Sequence, residues 1–286
     1  MKRLTHFIFL LLLSTLSLDA KSLRVETEEL FNNTKNYIIL DARSKKLYEK
    51  GHIKGALNFP VNLTYKNIKK NGQLTNPFAM QEIIRSLGID THSNIVIYDD
   101  GTFFDAARLF WTLEVYGFKN PKLLNTGYQN WFSLGYDTTQ DIPITNKSNY
   151  IALVNNKRLA TKFTTQIASR NPNQIIIDAR DNKSYQGITS SAKRYGHIPK
   201  AFNIPGSHNI EISDNTTHLK TIEKLKDLYK GIDKNKKVVL YCAIGRVAAS
   251  NYFALRELEY DVANYDASWK EWGNDDALPI VTPIKK

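Results

Sequence analysis

Cysteine is nearly absent from this chain: its 286 residues contain one, Cys242. A single thiol excludes an intramolecular disulfide framework and any Cys-x-x-Cys redox or zinc motif. His92, His208 and His218 show no metal-ligand spacing with it, so no metal and no other cofactor is expected. Glycine-rich phosphate loops of the Walker or dinucleotide type are missing as well. The formal net charge is +11, which suits small anions or a membrane surface. Without a basic stripe or an aromatic RNA-binding motif, that charge does not point to nucleic acid. The lysines of loops such as 66–70 and 234–237 read as a solvated basic surface.

Residues 1–20 read as a processing segment. Lys2 and Arg3 precede the apolar run Phe7 to Leu13, and small residues follow up to Ala20, after which cleavage is expected. The run is too short to span a bilayer, which favours a cleaved secretory signal over a retained anchor, although Leu18 is a mediocre residue near the cut. A periplasmic or secreted location follows. In such an oxidising compartment an unpaired cysteine is either a reactive thiol or an intermolecular link.

The remaining length suits two domains, and one pattern occurs twice. Ile38-Ile39-Leu40-Asp41-Ala42-Arg43, Gly51-His52-Ile53 and Asn58-Phe59-Pro60 return as Ile175-Ile176-Ile177-Asp178-Ala179-Arg180, Gly196-His197-Ile198 and Asn203-Ile204-Pro205. Ile95 to Tyr98 matches Val238 to Tyr241. Each copy continues with a helical stretch, a short strand (122–125; 262–266) and a Trp-bearing helix (128–134; 268–273). The chief insertion of the second copy is 187–194. Continuous apolar runs suit strands covered on both faces, as in a mostly parallel sheet. The expected organisation is α/β with two tandem domains, 21–140 and 151–286, each a mostly parallel central sheet flanked by helices. A polar linker carrying Pro143, 141–150, joins them.

Cys242 stands where the strand Val238 to Tyr241 meets the loop Cys242-Ala243-Ile244-Gly245-Arg246-Val247, which opens a helix from Ala248 to Leu258. Free amides and the positive helix end both favour thiolate there. Alignment on Tyr98 and Tyr241 places Asp99 opposite Cys242, so the first copy has no thiol at that place. His52, His197, Asp41 and Asp178 recur in both copies, including the one without a thiol, and so read as structural. Trp131 and Trp272 read as core. Tyr260 and Tyr265 are candidates to line an entrance.

The D-A-R…G-H-I…A-x-N-x-P pattern in both halves, the strand-then-cysteine loop and Asp266-Ala267-Ser268-Trp269-Lys270-Glu271-Trp272 together resemble the tandem-domain rhodaneses, which are sulfurtransferases. The resemblance covers essentially the whole chain after residue 20. It implies an inactive first domain and a catalytic second one. Cys242 is then the nucleophile, accepting sulfane sulfur from thiosulfate and passing it to cyanide or a thiol. The amides of Ala243, Ile244, Gly245, Arg246 and Val247 would cradle the sulfur. The Arg246 side chain would meet the sulfonate end of the donor.

Cysteine phosphatases need an arginine six residues after the nucleophile, where this chain has Ala248. The loop also lacks the hydroxyl typical of 3-mercaptopyruvate sulfurtransferases, which makes thiosulfate the expected donor and mercaptopyruvate the alternative. Cationic residues just after the cysteine, usual in vertebrate-type thiosulfate enzymes, are replaced by Ala243 and Ile244, and Ser184 stands where an arginine is usual. Arg180 and Lys183 are candidate replacements, and the sequence leaves open whether Arg180 binds substrate or pairs within the scaffold. Polysulfide or a protein persulfide is the alternative donor, and a polysulfide carrier without efficient turnover is the alternative function. The chain is expected to be a monomer that hands sulfur to a small acceptor or to a periplasmic sulfur-accepting protein.

Overall fold

The computed structural model describes residues 22–119, 121–213 and 215–282. The expected leader, residues 1–20, lies outside the described residues. Two five-stranded parallel sheets account for the repeated apolar runs. In the first, the spatial order is Arg24–Val25, Lys122–Leu124, Ile95–Tyr98, Ile38–Asp41 and Leu57–Asn58. In the second, it is Leu159–Ala160, Val262–Tyr265, Lys237–Tyr241, Gln174–Asp178 and Ala201–Asn203. The two orders are the same topology, strand for strand. Ile95–Tyr98 is buried along its whole length, and so is Lys237–Tyr241 after its first residue, as strands covered on both faces require.

Register then sets the site. Asp178 pairs with Tyr241 across the two central strands of the second sheet. The Tyr241 hydroxyl donates to Asp178 Oδ2 at 2.6 Å, and the Ala179 amide donates to the Tyr241 carbonyl at 2.8 Å. Arg180 and Cys242 therefore emerge together at the carboxyl ends of neighbouring strands, where parallel sheets open their ligand crevices. Asp41 and Tyr98 repeat the arrangement in the first sheet.

One apolar cluster runs through both halves, from Leu40 and Phe110 to Leu240 and Phe253. The domains meet along the two helices that follow the two loops, Phe104–Val115 and Ala248–Glu257. Phe110 packs edge-on against Phe253 with ring centroids 5.0 Å apart. Glu114 receives the Arg256 guanidinium at 2.8 Å and the Tyr252 hydroxyl. Segment 141–150 carries no regular structure. Beyond the sheets, a hairpin pairs Ile210–Ser213 with Thr216–Leu219; its mixed polar sequence gave no sign of a strand. Among the described residues no helix is long and apolar enough to cross a membrane.

Tyr260 and Tyr265 require correction. Both are buried, and their hydroxyls go to the Ile232 carbonyl and to Glu271. Tyr265 belongs to the core because Val262–Tyr265 is an internal strand of the sheet. Tyr260 packs just before that strand into the cluster shared by both halves, and neither is among the described residues that line the Cys242 cavity.

Candidate active site

Cys242 follows directly on the buried strand Lys237–Tyr241 and is 2% exposed. It is nonetheless on the floor of a cavity of about 310 Å³. Ala179, Arg180 and Ala243 share that floor, while Asp181, Ser191 and Ser207 are exposed at its rim. Pro205, Gly206 and Val247 complete one wall, and Phe104 of the first domain contributes to another.

The loop is held from outside. The Cys242 amide donates to Ser268 Oγ at 3.1 Å, and that hydroxyl donates to the Tyr265 carbonyl at 2.7 Å. The Cys242 carbonyl accepts from the Trp269 amide at 2.9 Å and the Ala243 carbonyl from the Lys270 amide at 3.0 Å. In a planar trans peptide the carbonyl and the following N–H point in opposite directions. The amides of Ala243 and Ile244 are thereby directed away from the segment 268–270. Among the described residues, none of the amides from Ala243 to Val247 has a hydrogen-bond acceptor. Buried or half-buried N–H groups left open in this way form a site for an anion.

Arg180 pairs within the scaffold and also lines the cavity. Its Nε and Nη2 grip Asp178, with Nη2 to Oδ2 at 2.5 Å, and Nη2 also donates to the Gly196 carbonyl at 2.7 Å. The guanidinium lies 4.4 Å from the Trp269 ring centroid. Burial works against its charge, and the hydrogen bond and charge of Asp178 more than restore it, raising its pKa. Its Nη1 is buried with no hydrogen-bond partner, in a residue that lines the cavity. A donor for an incoming anion is thus available even though the charge is already balanced.

Of the other expected residues, Ala243 and Val247 line the cavity, whereas Ile244, Gly245 and Arg246 do not. Arg246 Nε donates to Asp105 of the first domain, its guanidinium 5.8 Å from the Phe104 ring centroid. Its charge is directed across the domain boundary. Ser184 is on the cavity wall, and its amide and hydroxyl go to Asp181. Burial opposes these bonds, yet they hold Asp181 below the usual carboxylate range. Lys183 is not among the lining residues. His52 and His197 tie their loops through Nδ1 to the Tyr48 and Tyr185 carbonyls and stack on those tyrosine rings.

Sequence reasoning missed Ser191, Ser207 and Phe104. The first lies in the insertion 187–194, the third in the other domain, and none has a motif to mark it.

The model of the rhodanese-like domain matches residues 25–134 and again 160–275. A putative thiosulfate sulfurtransferase of Mycobacterium bovis, SseA, is 31% identical over 245 residues, covering 82% of this chain and 81% of its own. The sulfur carrier protein TtuD of Thermus thermophilus is 30% identical over 251 residues, with 82% and 86% covered. The crystal structure of SseA from Escherichia coli, from work on the rhodanese fold of 3-mercaptopyruvate sulfotransferases, superposes with a TM-score of 0.78 at 24% identity, covering 87% of this chain and 99% of that one. Two parallel sheets of identical strand order, each built around the same Asp–Arg–Tyr clamp, and a family model matching both halves place this chain in the rhodanese family, as a tandem of two rhodanese-like domains.

Proposed function

We propose that this protein is a sulfurtransferase in which Cys242 cycles between thiolate and persulfide, with thiosulfate as donor. The observation that carries the reading is the thiol on the floor of an open cavity, beside loop amides that have no acceptor. The thiolate attacks the outer sulfur of thiosulfate. A new S–S bond forms, the old one breaks, and sulfite departs with the electron pair. Cyanide or a thiolate then takes the outer sulfur from Cys242 and leaves the thiolate restored. Splitting one transfer into two displacements is ordinary covalent catalysis. Loop amides and Arg180 Nη1 stabilise charge on the sulfur and on the departing sulfite. The names of the Mycobacterium bovis and Thermus thermophilus relatives support sulfur transfer in general.

A second donor class is favoured by charge. Arg180 is balanced by Asp178 and Arg246 by Asp105, while Asp181 adds a carboxylate at the rim. A persulfide, with one negative charge where thiosulfate has two, fits that balance, as does a carrier role. Export follows from residues 1–20, and a mature N-terminus at Lys21 in a periplasmic fraction is the expected outcome.

Thiocyanate formation from thiosulfate and cyanide tests the reading. Activity in the native enzyme and its loss in Cys242→Ser are expected; turnover undiminished in that variant contradicts it. A persulfide formed from polysulfide alone, with negligible thiocyanate, selects the carrier.

A further inference from the structure

Arg108 lies on the helix Phe104–Val115 of the first domain and has no exposed surface. Its guanidinium sits 4.4 Å from the Tyr65 ring centroid and 4.5 Å from that of Trp111. Among the described residues no carboxylate pairs with it. Its donors instead go to Thr64 Oγ1 at 3.3 Å, the Gly72 carbonyl at 2.8 Å and the Gly245 carbonyl at 3.2 Å. Burying a guanidinium without a carboxylate is costly, and that burial lowers its pKa. The fold itself does not call for the charge. At the offset that relates Tyr98 to Tyr241, the second domain carries the uncharged Asn251.

The third acceptor belongs to the catalytic loop. Gly245 has φ +69°, a conformation that glycine reaches without strain. Its carbonyl receives both Arg108 Nη1 and Asn264 Nδ2, the latter at 3.0 Å. Peptide planarity then directs the Arg246 N–H away from those two donors, and that amide has no acceptor among the described residues. The first domain shows where such an amide points. Its counterpart there, the Phe103 N–H, donates to Asp99 Oδ1 at 3.1 Å, and Asp99 stands in the place of the nucleophile. Packing leaves this junction little slack: a Cβ on Gly72 would collide with the carbonyls of Ile244 and Asp266.

We propose that Arg108 is a positioning residue for sulfur transfer. From the first domain it fixes the Gly245–Arg246 peptide so that the N–H faces the sulfur of Cys242, and it places a fixed positive charge behind the loop. The two groups are near enough to interact electrostatically. This gives the domain without a thiol a part in the reaction. The role rests on the reading of Cys242 as nucleophile.

Steady-state thiocyanate formation and the pH dependence of Cys242 alkylation by iodoacetamide, measured on the full chain, test it. Arg108→Met is expected to lower kcat about 100-fold, the scale of losing one oxyanion donor, with KM changed far less. The same variant shifts the alkylation profile to higher pH. Arg108→Lys keeps the charge and is expected to retain the alkylation profile while recovering only part of kcat. A folded Arg108→Met with wild-type kcat and alkylation profile overturns the proposal. If Arg108→Met does not fold, wild-type kcat in Arg108→Lys overturns it. Cys242→Ser is measured alongside. Turnover surviving in that variant ends the nucleophile reading, whereas inert Cys242→Ser with unimpaired Arg108 variants removes only the positioning role.

Discussion

Asp99 and Cys242 stand at corresponding strand ends of the two domains, and Asp99 does with its carboxylate what the second loop leaves undone. Its Oδ1 accepts from the amides of Gly101 and Phe103, and its Oδ2 from those of Asp105 and Ala106, all between 2.8 and 3.1 Å. The first loop thus carries its own anion. The counterparts of Gly101 and Phe103, the amides of Ile244 and Arg246, have no acceptor among the described residues. The same backbone turn is filled in one domain and open in the other.

Asp99 should leave a signature in stability against pH. Burial, followed by the charge of Asp100, pushes its carboxyl up to about 6 in spite of the amides. With the folded value above the unfolded one, its contribution is fully present below about pH 4 and is lost as pH rises through 6. Relative to Asp99→Asn, the native protein should lose about 2–3 kcal/mol of unfolding free energy between pH 4 and pH 7.5. Urea titrations at the two pH values measure this. A difference independent of pH contradicts it.

Asp105 restrains Arg246 from the other side of the domain boundary. Neutralising that carboxylate releases a guanidinium close to the loop and removes a negative charge that opposes an anionic donor. Asp105→Asn is expected to lower KM for thiosulfate by about threefold or more, and the gain should fade at high salt. Kinetics at two ionic strengths check it. KM unchanged or raised in Asp105→Asn at low salt places Arg246 outside substrate binding.

Glu114 holds the domains together at the far end of the same two helices. Its side chain is 5% exposed and accepts from Arg256 and from the Tyr252 hydroxyl. Removing one member of a buried pair leaves the other charge uncompensated, at a cost of about 3–5 kcal/mol. Glu114→Ala should show that loss in urea unfolding and should separate the unfolding of the two domains. A loss below about 1 kcal/mol would mean the pair is solvated.

Much of this was legible in the sequence because it repeats. The apolar runs ending at Asp41 and Asp178 and at Tyr98 and Tyr241 are the paired central strands, and period alone marked them. Cys242 was legible because no other thiol competes with it. Arg246 was legible as a cation on the loop that follows Cys242, but its partner Asp105 lies in the other domain, which loop spacing cannot reveal. Arg108 gave no signal, because its acceptors include two backbone carbonyls that folding brings together from distant segments. Tyr265 misled for the opposite reason: an aromatic near the loop looks like a wall, whereas its register on an internal strand turns it into the core.

The most direct test is the mass of Cys242 itself. After exposure of the protein to thiosulfate or polysulfide, the peptide containing Cys242 should gain about 32 Da, the mass of one sulfur atom. Cyanide should then remove that mass as thiocyanate. Sulfur transfer proceeding at full rate while that peptide never gains the mass contradicts a persulfide on Cys242.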